Sequence, residues 1–124
     1  MAKQSKKKAY KLGHYAEFFA TLILRLKGYS IVARRYKTKV GEIDIIARKG
    51  ALTIFCEVKA RDDYSKAAYS LSQKQINRIN RAAEYYMAHL KSGPDHNNFE
   101  NNLYRCDMIL IIPWRWPVHI KNAW

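Results

Sequence analysis

The chain has 124 residues, with 23 lysines and arginines against 10 aspartates and glutamates, giving a formal net charge of +13 at neutral pH. That length suits one domain around a single core, and the charge favours a polyanionic partner, nucleic acid first. No apolar run approaches the roughly 18 residues of a bilayer span, and the basic N-terminus is not followed by a signal-type apolar region, so no membrane partner and a cytoplasmic location are expected.

In chain order, residues 1–11 carry Lys3, Lys6, Lys7, Lys8 and Lys11 without apolar periodicity and read as a flexible basic arm ahead of a single domain over 12–124. The arm either solubilises the chain or contacts phosphates. Apolar residues at Leu12, Ala16, Phe19, Ile23 and Leu26 predict a first helix to Lys27, stopped by Gly28. Glu17 lies on that helix among apolar neighbours, either as an ion-pair partner or as part of an acidic site. Tyr29–Tyr36, with Arg34 and Arg35, reads as the first strand. Two further strands, Gly41–Ala47 and Ile54–Lys59, flank the turn Arg48-Lys49-Gly50-Ala51.

Beyond them, 60–70 is polar, beginning with Arg61, Asp62 and Asp63, and a second helix follows from about Leu71 to Leu90. Ile76, Ile79, Ala83, Tyr86 and Leu90 form its expected buried stripe, and Lys74, Arg78, Arg81 and Tyr85 a basic face suited to phosphate contact. A loop over 92–102 leads to an apolar strand, Tyr104–Ile112, interrupted by Asp107 and ended by Pro113. Val118 and Ile120 mark a short last strand. Trp114, Trp116 and Trp124 fit core or edge packing better than base stacking. Cys56 and Cys106 lack the spacing of a zinc half-site and read as buried thiols, and the four scattered histidines form no ligand pair.

The chemistry concentrates in the hairpin. If Gly50 and Ala51 form a two-residue loop closed by Lys49 and Leu52, Asp44 falls opposite Glu57 and Glu42 opposite Lys59. Directly opposite residues have Cβ atoms about 4.5–5.5 Å apart, so two carboxylates there repel each other. A divalent cation would offset that repulsion, and Lys59 shares the face of Glu57. The plainer alternative is a solvated face. Ile43, Ile45, Ala47, Ile54, Cys56 and Val58 make the opposite face apolar, and Ile46 and Phe55 put apolar bulk beside the charges.

Asp44 with Glu57-Val58-Lys59 resembles the PD-(D/E)xK signature of restriction-endonuclease-like nucleases. The chain is more closely similar to the YraN-like family of small bacterial proteins. That resemblance rests on Gly13 with Glu17, Lys27-Gly28-Tyr29, Gly41-Glu42-Ile43-Asp44, Phe55-Cys56-Glu57-Val58-Lys59-Ala60-Arg61, Lys74-Gln75, Ala82-Ala83, Arg105-Cys106-Asp107 and Asn122-Ala123-Trp124. It implies an α/β core of order α-β-β-β-α-β with a mixed sheet flanked by helices. It also implies Asp44 and Glu57 as metal ligands, Lys59 as the signature lysine, and Glu17 as a further site member, as in archaeal Holliday-junction resolvases. Ile43 stands where the signature has proline.

The expected activity is therefore a Mg²⁺- or Mn²⁺-dependent DNA phosphodiesterase. Asp44, Glu57 and the Val58 carbonyl would hold the ion, and the arm, Arg34, Arg35, Arg61, Lys74, Arg78 and Arg81 would grip the backbone without reading sequence. Junction cleavage would favour a homodimer. The alternative is a catalytically silent DNA-binding module on the same fold; an RNA- or ribosome-associated role rests on charge alone.

Overall fold

A computed structural model describes residues 2–63, 65, 71–91 and 103–124, with the side chains of 2–13 and 91 excepted. Helix α1 spans Ala2–Leu26. It takes in the stretch read as a basic arm, whose alanine, lysine and glutamine are good helix formers. Gly28 ends it at φ +93°. There its N–H donates to the Arg25 carbonyl and that of Tyr29 to the Leu24 carbonyl, a Schellman closure that needs a residue free of Cβ strain. The Lys49 ammonium donates to the Lys27 carbonyl at 2.8 Å, placing a cation on the negative end of the helix.

The buried stripe of α1 is Ala16, Ala20, Ile23 and Leu24, whereas the expected Phe19 and Leu26 are 43% and 67% exposed. Small alanines let the helix lie close on the sheet. The bulky side chains are left on a second, outward stripe.

Strands β1 (Ser30–Lys37), β2 (Glu42–Lys49), β3 (Leu52–Ala60), β4 (Leu103–Ile111) and β5 (Val118–Ile120) form one mixed sheet in that order. β3 and β4 are parallel and the other neighbours antiparallel. A parallel pair needs a crossover, and helix α2 (Gln73–Lys91) lies within it. The expected α-β-β-β-α-β order therefore holds, extended by β5. The loops expected at 60–70 and 92–102 lie largely outside the described residues.

Both faces of the sheet are covered. Ile45, Ala47, Ile54, Cys56 and Ile109 pack under α1, while Ile46, Phe55 and Cys106 pack under Ile79, Ala82, Ala83 and Met87 of α2. Ile46 and Phe55 are thus core residues, because a sheet roofed on two sides turns its strands into nearly continuous apolar runs. Gly41 sits where β2 passes α2: an added Cβ would fall inside contact distance of the Arg78 carbonyl.

The end of the sheet nearest the α1 C-terminus is built around Asp107, which is fully buried. Arg105 donates to both its oxygens at 2.7 Å, His119 Nε2–H donates to Oδ2 at 2.7 Å, and the Asn122 amide to Oδ1 at 3.0 Å. The Lys27 ammonium faces His119 Nδ1 at 2.9 Å, which fixes the Nε2–H tautomer, and Arg105 also reaches the Tyr29 hydroxyl. Burial would raise the Asp107 pKa, but the hydrogen bonds from Arg105, His119 and Asn122 outweigh it and hold the carboxyl far below its usual range. Asp107, which interrupts the apolar run of β4, is thus the clasp joining β4, β5, the tail and the end of α1. Trp124 closes the tail, its indole N–H donating to Asn80 Oδ1 of α2 at 2.8 Å.

Asp107→Ala leaves Arg105 and His119 without their acceptor and is expected to cost about 3–5 kcal/mol in urea unfolding. Since the folded carboxyl titrates below its unfolded value, its contribution is complete above pH about 4 and fades in stronger acid, so Asp107→Asn should flatten that acid limb. Gly41→Ala should push α2 off the start of β2, read as a lower melting temperature together with faster amide exchange around Ile79.

Candidate active site

β2 and β3 leave the turn in the expected register, Lys49↔Leu52 through Ile45↔Cys56, with Gly50 at φ +59° in the loop. Past Ile45↔Cys56 the strand pairing stops, and the Val58 N–H donates to Asp44 Oδ2 at 2.8 Å. A side chain has entered the ladder where backbone would otherwise continue. That fixes the Asp44 carboxylate between the strands and brings it within hydrogen-bond reach of Glu57.

Lys59 follows on the face of Glu57, as strand alternation requires, with Nζ 3.3 Å from Glu57 Oε1 and both side chains largely buried at 13% and 14% exposure. The expected cross-strand pair between Glu42 and Lys59 is replaced by this contact. The pairing stops before Glu42 is reached, and Glu42 is exposed.

Burial pushes the Asp44 carboxyl up, and the Val58 amide only partly restores it. Burial together with the adjacent Asp44 charge pushes Glu57 up to about 7, against the pull of Lys59. Two half-buried carboxyls this close cannot both ionise freely, so the charge on one opposes ionisation of the other.

Glu17 stands at the side of the pair, near enough for its charge to raise Asp44 further. Its carboxylate is held by Arg35, whose Nε donates at 3.0 Å, and the same guanidinium reaches His14 Nδ1 at 3.0 Å. Arg35 has φ +50°, a strained conformation for an arginine, in a β1 whose register with β2 shifts between Ile31 and Ala33. Both readings of Glu17 are met in part: it is an ion-pair partner, and it lies beside the acidic pair. Arg35, expected to grip a phosphate backbone, pairs with Glu17 and stays half exposed. His14, given no role from sequence, belongs to the same clasp; only the fold brings it to Arg35.

Among the described residues, no three His, Cys, Asp or Glu side chains converge on one point that could hold an ion. The donor set available is two carboxylates and the backbone of Val58. These are hard oxygen donors of the kind Mg²⁺ and Mn²⁺ take. The pair also carries the repulsion that a divalent cation would relieve, so the residues fit such an ion.

Of the expected backbone-gripping residues, Arg34, Arg61, Lys74, Arg78 and Arg81 are all exposed, and the side chains of Lys6, Lys7 and Lys8 lie outside the described residues. Tyr85 also lies exposed on α2, completing the basic face as expected. Trp114 and Trp116, expected to pack, are instead 103% and 74% exposed; only Trp124 packs.

The raised carboxyl carries a stability signature. A Glu57 that keeps its proton when folded but loses it near pH 4 when unfolded makes the metal-free protein less stable as pH rises from about 4 to about 7. In EDTA the melting temperature is expected to fall between pH 5 and pH 8. Mn²⁺ should raise it more at pH 8 than at pH 5, and Asp44→Asn should shrink both effects.

The model of the family described as "Uncharacterised protein family UPF0102" matches residues 16–111. The chain is 44% identical to a UPF0102 protein of Mesorhizobium japonicum over 96% of this chain and 90% of that one. It is 47% identical to a UPF0102 protein of Parvibaculum lavamentivorans over 94% of this chain and 83% of that one. With a UPF0102 protein of Brucella canis it shares 40% identity over 95% of this chain and 89% of that one. Among the described residues, no helix is long and apolar enough to cross a membrane.

Proposed function

The chain belongs to the uncharacterised protein family UPF0102, and we propose that it is a metal-dependent phosphodiesterase acting on DNA, on a restriction-endonuclease-like core. The observation that carries this reading is the pair of half-buried carboxyls, Asp44 and Glu57, brought together where the β2–β3 ladder stops, with Lys59 in contact. A fold gains no stability from two like groups driven out of their ionised state. A hydrolytic site that binds a cation beside a phosphate uses both the repulsion and the lysine.

Asp44 and Glu57, with the Val58 carbonyl, would hold Mg²⁺ or Mn²⁺, and the bound ion supplies a water of lowered pKa and charge to balance the phosphoryl oxygens. The Val58 amide keeps Asp44 Oδ2 in place, so the carboxylate needs no reorganisation. Lys59 Nζ, mostly buried against Glu57, donates to the attacking water or to a non-bridging phosphate oxygen as charge builds there. Glu17, oriented by Arg35, accepts a proton from water at the side of the pair. Arg34, Arg61 and the exposed face of Lys74, Arg78 and Arg81 supply sequence-independent backbone contacts to DNA, the substrate that a charge of +13 favours.

One observation favours a second reading, a DNA-binding module with a silent site: Glu17 is tied to Arg35, and no third side-chain ligand joins Asp44 and Glu57 among the described residues. The two separate in a cleavage assay on labelled single-stranded, duplex, flapped and four-way-junction DNA with Mg²⁺, Mn²⁺ or EDTA. The phosphodiesterase cuts only with the ion, and Asp44→Ala and Lys59→Ala each reduce the rate on the order of 10²-fold or more. Binding without cutting under every condition would transfer the function to the silent module.

A further inference from the structure

An open groove of about 350 Å³ has walls that include Tyr15 and Phe19 of α1, Trp114 and Trp116 of the turn after β4, and Arg61 and Arg115. Its lining is almost wholly apolar, yet two arginines stand among the aromatics.

Trp114 is 103% exposed and sits at φ +63°, a backbone region that a bulky side chain enters only under strain. Trp116 is 74% exposed, and Tyr15 62%. Among the described residues, packing therefore does not account for these rings. A strained turn that leaves an indole in solvent would be stabilised by a ligand that covers it.

Arg61 links the groove to the site along the chain. Arg61 lies two residues beyond Lys59 along an extended chain, about 7 Å at strand rise, and its amide donates to the Ile111 carbonyl at the start of the tryptophan turn. A polymer whose phosphate sits at Lys59 thus meets Arg61 next and then the aromatic walls.

We propose that this groove is a stacking platform for unpaired bases, which makes DNA with a single-stranded segment the substrate of the adjacent site. The inference rests on the phosphodiesterase reading for the word substrate. Aromatic rings stack on bases of any sequence, and arginines among them take the backbone charge or lie over the bases. Duplex DNA keeps its bases stacked inside and offers such a groove nothing. Arg61 already donates to the Ala60 carbonyl at 2.7 Å, but an apolar protein segment would bring no negative charge to Arg61 and Arg115, and a second copy would bring another +13 against this one.

The test uses the full chain in EDTA, so that binding is read without hydrolysis. Labelled oligodeoxythymidine, an abasic strand of equal length and a duplex are titrated by anisotropy against wild type and against Trp114→Ala/Trp116→Ala, whose altered positions are exposed. Wild type is expected to hold the base-bearing strand about tenfold or more tighter than the abasic one, with quenched tryptophan emission. The variant should lose that preference and keep its abasic affinity. Equal affinity for the two strands, or a variant weakened on both alike, overturns the platform. So does a wild type that dimerises in sedimentation through these tryptophans. A protein that prefers bases but hydrolyses nothing in Mn²⁺ retains the platform and loses the phosphodiesterase. One that hydrolyses DNA while binding both strands equally loses the platform alone.

Discussion

A carboxylate taken out of water must be met by donors, and the way Asp107 satisfies that demand organises one end of this molecule. Arg105, His119 and the Asn122 amide all converge on it, and through Lys27 and Tyr29 the network reaches the end of α1. Charge, hydrogen bonding and burial are mutually consistent there. The carboxyl is held ionised, and four separate pieces of chain are held with it.

Asp44 and Glu57 occupy the opposite case on the same sheet. Each is half-buried, but the donors provided, one amide and one lysine, are too few for two ionised carboxylates, so both are pushed toward protonation. The contrast separates structural from functional acidity within one chain. A satisfied carboxylate clamps, whereas a pair left short of positive charge is ready to accept a cation. The register of β2 on β3 creates the shortage, because Asp44 enters the ladder just where the two strands stop pairing.

Around that pair, α1 serves two purposes. Its alanine-lined stripe covers the sheet and thereby carries Glu17 to the side of Asp44, while its outward aromatics, Tyr15 and Phe19, form a wall of the groove beside Arg61. One helix thus joins the acidic pair to the aromatic surface. The exposed cations of β1 and α2 extend the charge outward from the same sheet.

The sequence alone determined the features that depend on neighbours along the chain. The Gly50–Ala51 turn sets the hairpin register, strand alternation sets Lys59 beside Glu57, and the glycine stop after Lys27 ends α1. The α-β-β-β-α-β order and the basic face of α2 were legible for the same reason. What only the tertiary structure decided depends on which surface meets which. Periodicity shows that α1 has apolar residues at helical spacing but cannot tell the stripe of Ala16, Ala20, Ile23 and Leu24 from one containing Phe19 and Leu26, because both sets satisfy a 3.6-residue repeat. Likewise Arg35 reads as a free cation until the fold of β1 turns it to Glu17, and His119 has no visible partner until β5 lies against β4. The tryptophans of the last turn read as core or edge packing from sequence. Their place in solvent follows from a backbone turn that no residue pattern announces.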